Sequence, residues 1–378
     1  MIYTISILFM SEKLYFRCVK TGKTFPFGLN VFNNPEANSP TYSNLIMEWG
    51  YQVDGYLSKV PFKKVHVSYW AKGTPLLDSP MAKELMRLTN LKIKDESHNP
   101  YGTHKDRRSE YIINVAVEHG VDKIVCLTVG NAGYSLSRYS ARVNIDYTSL
   151  VFPWVSQERK ASLSERWNVV TIDWSRYNGI LRPRDFRSIV EEYDLYEQKK
   201  KWNNIRAVTN SFEPISINAY KELFYELQEE KPDYVVLPCG SGDIIIWVRL
   251  AIQELGMHTK IIAVGPKDEH PLRNALRYQK DEYQMEHYHE HSIAEKLTTP
   301  FTAVLPILYK IFNEPGNIYL EVDNDIIKRT KDLFSIKDTI RFENSAVPPF
   351  AVFLSDQRPD IDPDAKVIII NTGKGLEN

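Results

Sequence analysis

From about residue 120 to the end, short apolar runs rich in β-branched residues alternate with longer stretches of helical period. That alternation limits the possible folds more than any other feature of the chain. Lys123-Ile-Val-Cys-Leu-Thr128 reads as a buried strand, followed by an amphipathic helix through Arg142. Tyr234-Val-Val-Leu-Pro238 is a second strand, followed by a helix from Ile244 to Leu255. Lys260-Ile-Ile-Ala-Val264, Asn317-Ile-Tyr-Leu-Glu-Val322 and Lys366-Val-Ile-Ile-Ile-Asn371 are further strands, and Asp323 is placed to cap a helix running to about Phe334. The pattern predicts an α/β fold of mostly parallel sheets flanked by helices. With 378 residues the chain can build two cores. The expected division is a larger domain from residues 1–91 and 204–378, and a smaller, mobile α/β domain from 92–203.

Composition narrows the functional classes. Lys and Arg number 47 against 48 Asp and Glu, which gives no electrostatic reason to expect nucleic acid or a membrane surface. The run Lys199-Lys200-Lys201 reads as a solvated helix end. Cys18, Cys126 and Cys239 are too few and too scattered for a disulfide framework or a zinc site, and fit a reducing, cytoplasmic setting. The apolar start, Met1 to Met10, has neither a basic leader region nor a small-residue cleavage site, and Met10 is a second candidate start. No apolar run approaches membrane-spanning length. His287, His289 and His291 would share one face of an extended segment, as a metal site requires. With no second ligand cluster evident, the reading taken is a polar loop or edge segment without metal.

Open α/β sheets bind ligands beyond the carboxyl ends of their strands, so the residues after each strand carry the functional argument. Thr128-Val-Gly-Asn-Ala-Gly133, Pro238-Cys-Gly-Ser-Gly-Asp243 and Asn371-Thr-Gly-Lys-Gly375 all combine glycine with Asn, Ser or Thr. Glycine allows close backbone approach to a ligand, and a following helix N-terminus favours an anion. None is a nucleotide fingerprint: the second lacks the P-loop lysine, and the first lacks G-x-G-x-x-G spacing. Lys105, in Glu96-Ser-His-Asn-Pro-Tyr-Gly-Thr-His-Lys-Asp-Arg107, precedes the amphipathic stretch Tyr111 to His119. It is either a solvated lysine at a helix start or an amine placed to hold an aldehyde cofactor and move protons.

With these motifs in this order, the chain resembles the fold-type II enzymes that use pyridoxal phosphate (the tryptophan synthase β-like fold). Within that group it is most similar to the threonine synthases. That family's lysine motif, Glu-x-x-Asn-Pro-Thr-Gly-Ser-Phe-Lys-Asp-Arg, matches the segment ending at Arg107. Its Ser-Thr-Gly-Asn loop resembles Thr128-Val-Gly-Asn131, and its phosphate loop resembles Pro238 to Asp243. Its closing Thr-Gly-His-Gly-Leu-Lys-Asp resembles Thr372 to Asn378. The segment Phe16 to Pro26 is similar to the Cys-bearing ribbon that opens many members, with one cysteine left.

The resemblance implies that Lys105 forms the Schiff base with pyridoxal phosphate and acts as general base. It implies that Asn131 meets the ring hydroxyl, that Thr128 and its loop, with Thr103, hold the substrate carboxylate, and that Thr372 faces the pyridine nitrogen. Gly240, Ser241, Gly242 and Asp243 would line the phosphate. A small amino-acid substrate, a homodimer and a lyase reaction follow from the same resemblance, with O-phosphohomoserine conversion to threonine as the named activity. β-Elimination or β-replacement on serine, threonine or an activated serine is the alternative, and a non-catalytic binding protein of the same fold is another. Two departures bear on the choice. Asp243 stands where the family has glycine, and a carboxylate beside a phosphate is repulsive unless it is paired or turned away. In Asn210-Ser-Phe-Glu-Pro-Ile-Ser-Ile-Asn-Ala-Tyr-Lys221, Glu213 and Ser216 replace an asparagine and an arginine from the region that meets the substrate's own phosphate. Arg182, Arg184 and Lys374 are the basic residues available to compensate.

Overall fold

The structure, a computed structural model, describes residues 14–31, 45–48, 50–128, 130–153, 155–164, 167–177, 185, 188–189, 205–209, 213–285, 292–337 and 340–375. Among these, the strands fall into three sheets. A small antiparallel ribbon holds β1 (Tyr15–Cys18), β2 (Thr24–Pro26) and β3 (Leu45–Glu48), in the order β2-β1-β3. The expected opening ribbon is thus present, with Cys18 buried and in no disulfide.

Next along the chain come β4 (Leu76–Leu77) and β5 (Asn90–Asp95). They are followed by β6 (Lys123–Thr128), β7 (Asp146–Val151), β8 (Asn168–Thr171) and β9 (Ile205–Thr209). The last strands are β10 (Tyr234–Pro238), β11 (Lys260–Pro266), β12 (Ile318–Val322) and β13 (Lys366–Asn371). A six-stranded sheet runs β12-β11-β10-β13-β5-β4, parallel throughout except for the β4–β5 pair. A four-stranded parallel sheet runs β8-β7-β6-β9.

The apolar runs are continuous because both faces of each central strand are covered. On β10, Val235 and Leu237 enter one core while Val236 enters another, and β11 and β13 divide their residues in the same way. On β6, Val125 and Leu127 share the first core, whereas Ile124 and Cys126 pack in a third. Side chains alternate across a strand, so two cores need no polar face between them.

The structure adds detail in three places. β5 was not legible because Lys92 and Lys94 interrupt its apolar residues; Lys94 is nevertheless buried, with its ammonium on Glu226 at 2.6 Å and on the Thr74 carbonyl. The strand expected from Asn317 starts at Ile318, because the Asn317 side chain accepts from the Ile261 amide and donates to the Ile311 carbonyl. β5 spans residue 92 and belongs to the six-stranded sheet, and β9 lies after residue 203 and pairs with β6.

Four helices matter for the site's geometry. They are α1 (Lys105–Glu118), α2 (Asn131–Arg142), α3 (Asp243–Glu254) and α4 (Asn324–Lys337). α4 begins as expected, with the Asp323 carboxylate accepting from the Ile326 amide at 3.0 Å. No helix among the described residues is long and apolar enough to cross a membrane. Nor do they contain a group of three His, Cys, Asp or Glu able to hold a metal ion. His287, His289 and His291 lie outside the described residues, as do Arg182, Arg184 and Leu376 to Asn378.

Candidate active site

β5, β10 and β13 run parallel in the six-stranded sheet and β6 in the four-stranded one, and the residues after the carboxyl end of each build the candidate site. After β5, the loop to α1 is clamped by residues of the lysine motif. Arg107 bonds both oxygens of Glu96, at 2.6 and 2.8 Å, and reaches Glu226 as well. Asn99 donates to Glu96, and Asp106 accepts from the Tyr101 amide at 2.6 Å and from the Ser135 hydroxyl. Burial raises Asp106 to about 7, while the Arg107 charge overcomes burial at Glu96 and lowers it. The motif's acidic and amide residues therefore hold the loop, leaving Lys105 to face the site.

Lys105 opens α1, half-buried, with its amine donating to the Tyr220 hydroxyl at 3.1 Å. Burial lowers it to about 8; Asp243 opposes that shift and Arg108 adds to it. Thr103, at the same turn, accepts from the Lys105 amide through its hydroxyl. His104 packs its ring 5.3 Å from that of Tyr220 and donates from Nδ1 to the Thr372 carbonyl at 2.9 Å. Its own amide donates to the same oxygen. This close pairing needs Gly373, whose φ is +147° and where a Cβ would lie 2.6 Å from the Gly102 carbonyl. Burial pushes His104 well below the usual imidazole range, so it is neutral.

After β6, the Thr128 hydroxyl accepts from the Gly130 and Gly133 amides at 3.1 and 2.9 Å. It ties down the start of α2. Asn131 opens that helix; its amide nitrogen donates to both Glu343 oxygens, and its Oδ1 accepts from Lys296 at 3.2 Å. Lys296 also pairs with Glu343.

After β10, the loop Cys239 to Gly242 leads into α3. The Gly240 carbonyl accepts from His270 Nε2 at 2.7 Å, and the Ser241 carbonyl accepts from Thr302 at 2.8 Å. Gly242 has φ +94°, and a Cβ there would fall 2.5 Å from Leu308 Cδ1. No side chain caps α3, and uncapped amides at a helix start favour an anion. Asp243 is buried, accepts from Ser241 at 3.1 Å through Oδ2, and leaves Oδ1 without a hydrogen-bond partner.

The structure thus brings Lys105, Thr103 and Thr372 together through contacts between their own turns, and the electrostatic coupling of Lys105 to Asp243 and Glu343 ties the other two walls to them. Thr128 stands one turn from Asn131 but is engaged inside its own loop. Sequence reasoning missed Tyr220, Lys296 and Glu343. Tyr220 sits in the segment 210–221 already singled out, and was passed over in favour of Glu213 and Ser216. Lys296 carries no local signal. Glu213 and Ser216 are buried on each other, with the Ser216 amide donating to the Glu213 carboxylate at 2.8 Å. Arg108 donates from Nε to the Ser216 hydroxyl at 2.8 Å. A guanidinium therefore stands beside position 216, reached from α1 rather than from position 216 itself.

A family model described as pyridoxal-phosphate dependent enzyme matches residues 67–373. The chain is 25% identical to a threonine synthase of Methanocaldococcus jannaschii, over 96% of this chain and 92% of that protein. It is also 25% identical to an L-serine dehydratase/L-threonine deaminase of Mus musculus, over 54% of this chain and 60% of that protein. Among solved structures, a pyridoxal 5'-phosphate-dependent aspartate racemase superposes with a TM-score of 0.68 at 17% identity, covering 80% of this chain and 91% of that one.

Proposed function

The chain belongs to the pyridoxal-phosphate dependent enzyme family, with a fold-type II architecture, and from that premise we propose an elimination or replacement reaction at a small L-amino acid. The residues fit the cofactor: a half-buried amine is lowered to about 8, Asp243 at an uncapped helix start acts on it electrostatically, and one oxygen of that Asp243 is buried without a partner. When bound, the cofactor supplies an electron sink that stabilises negative charge on the substrate's α-carbon.

The rest is work for this chain's own residues. Lys105 would hold the cofactor's aldehyde and, as general base, would take the α-proton. Tyr220, kept neutral because burial raises its pKa, holds the lysine amine in register through its hydroxyl. The amides at the start of α3 would hold the phosphate, and Asn131 would orient the ring. Thr372 would offer the pyridine nitrogen a neutral hydroxyl instead of a carboxylate, which suits elimination and replacement better than transamination. Thr103 and the Thr128 loop hold the substrate carboxylate. The four-stranded sheet belongs, in this reading, to the smaller, mobile domain.

The named activity is water-dependent conversion of O-phosphohomoserine to threonine and phosphate. It is supported by the near-full-length likeness to a threonine synthase and by the Arg108 guanidinium beside Ser216. The observation that carries the broader reading is the Lys105 amine, lowered and aimed into a site built from four strand ends. A second reading, dehydration or β-replacement on serine, threonine or an activated serine, is favoured by the buried Glu213 carboxylate beside that same arginine's partner. Purified protein given pyridoxal phosphate and then O-phosphohomoserine should release phosphate and threonine. Ammonia and an oxo acid from serine or threonine, without phosphate turnover, would select the second reading. No spectral response to any of them would leave a binding protein.

A further inference from the structure

We propose that Asp243 holds the cofactor's phosphate as a neutral acid, with its buried Oδ1 carrying the proton and donating it in a hydrogen bond to a phosphate oxygen. This rests on the cofactor reading above.

Position comes first. Asp243 is the first residue of α3, where free amides and the helix dipole favour an anion. Its side chain is 2% exposed. One oxygen is used, accepting from Ser241, and the other is buried without a partner, which is rare for so polar an atom. A proton on that oxygen together with a phosphate contact would satisfy it. An ionised carboxylate at the same place would instead repel a phosphate dianion in a poorly solvated setting.

The surrounding charges decide which form is present. Lys105 and Arg108 face Asp243 from α1 and favour ionisation, as does the Ser241 hydroxyl from its own loop. Glu213, from the segment before α3, opposes them, and Tyr220 of the same segment is neutral. Burial outweighs the cations and raises the carboxyl to about 6 before any phosphate arrives. A bound phosphate would add negative charge and push the carboxyl further upward. Phosphate binding should therefore take up one proton at Asp243.

The test measures cofactor affinity by absorbance between about pH 7 and pH 8, with pyridoxal phosphate and with phosphate-free pyridoxal, for the wild type and Asp243→Asn. In the wild type, the dissociation constant for pyridoxal phosphate should rise relative to that for pyridoxal by about tenfold over that unit, as one linked proton requires. Asp243→Asn keeps a donor and has no proton to take up, so its ratio should stay level. A wild-type ratio independent of pH overturns the proposal, and needs no variant to fold. So does an equal slope in Asp243→Asn. Failure of wild type to bind either aldehyde overturns the cofactor reading itself, and this inference with it.

Discussion

Lys105 is a cation that the surrounding protein makes less willing to be one. Burial lowers it to about 8 from the ordinary 10.5, with Asp243 opposing the shift and Arg108 adding to it. A depressed lysine favours folding above its unfolded pKa and loses that contribution as pH falls through about 8. The same shift sets the supply of neutral amine, the form that attacks an aldehyde. Cofactor capture, followed as the growth of visible absorbance, should therefore accelerate up to about pH 8 and then level off. A rise continuing toward pH 10 would show that the lysine is not perturbed. Removing the amine tests its identity more directly. Lys105→Ala should keep the wild-type circular dichroism, lose the cofactor-dependent band, and lose at least about a hundredfold in turnover, the lower end for a missing general base. A variant that kept the band would return the lysine to the status of a solvated helix-start residue.

At the scale of elements, the loop between β10 and α3 is fixed by backbone geometry as much as by chemistry. Gly242 sits at φ +94° with Leu308 where a Cβ would go, so Gly242→Ala combines backbone strain with overpacking. Each of those effects costs about 1–3 kcal/mol, and the melting temperature should drop by several degrees. An unchanged melting temperature would mean that Leu308 and the loop repack freely. This element also shows what the sequence could and could not disclose. β10, β11 and β13 were readable because both faces are buried, which leaves uninterrupted β-branched runs. β5 was not, because Lys94 is buried on a partner, Glu226, that lies 132 residues away in sequence. The lysine motif was legible as a pattern, yet Glu96, Asn99, Asp106 and Arg107 turn out to brace the loop that presents Lys105. Tyr220, Lys296 and Glu343 enter the site through tertiary packing alone, so no local spacing could have announced them.

For the whole molecule, the site's position implies a mechanical coupling. Its walls come from both large sheets: Asn131 follows β6 of the four-stranded sheet, while the phosphate loop and Thr372 follow β10 and β13 of the six-stranded one. The sheets already touch across the site, because Asn131 donates to Glu343, whose amide in turn donates to the Gly373 carbonyl. A ligand bridging these walls binds the assembled molecule and not either sheet alone. A ligand held at about a hundredfold above its dissociation constant adds about 2.7 kcal/mol to the stability of the state that binds it. That increment should therefore appear in both sheets at once. Hydrogen exchange with and without pyridoxal phosphate provides the measurement. Amides of β6 and β7 and amides of β10 and β13 should gain protection by similar factors, each up to about a hundredfold where exchange requires the site to open. Lys105→Ala should abolish most of the gain in both places. Protection confined to β10 and β13 would show that the phosphate loop binds the ligand while the four-stranded sheet opens independently. Asn131 would then lose its place in the cofactor site, and the coupling argued from Glu343 would fail.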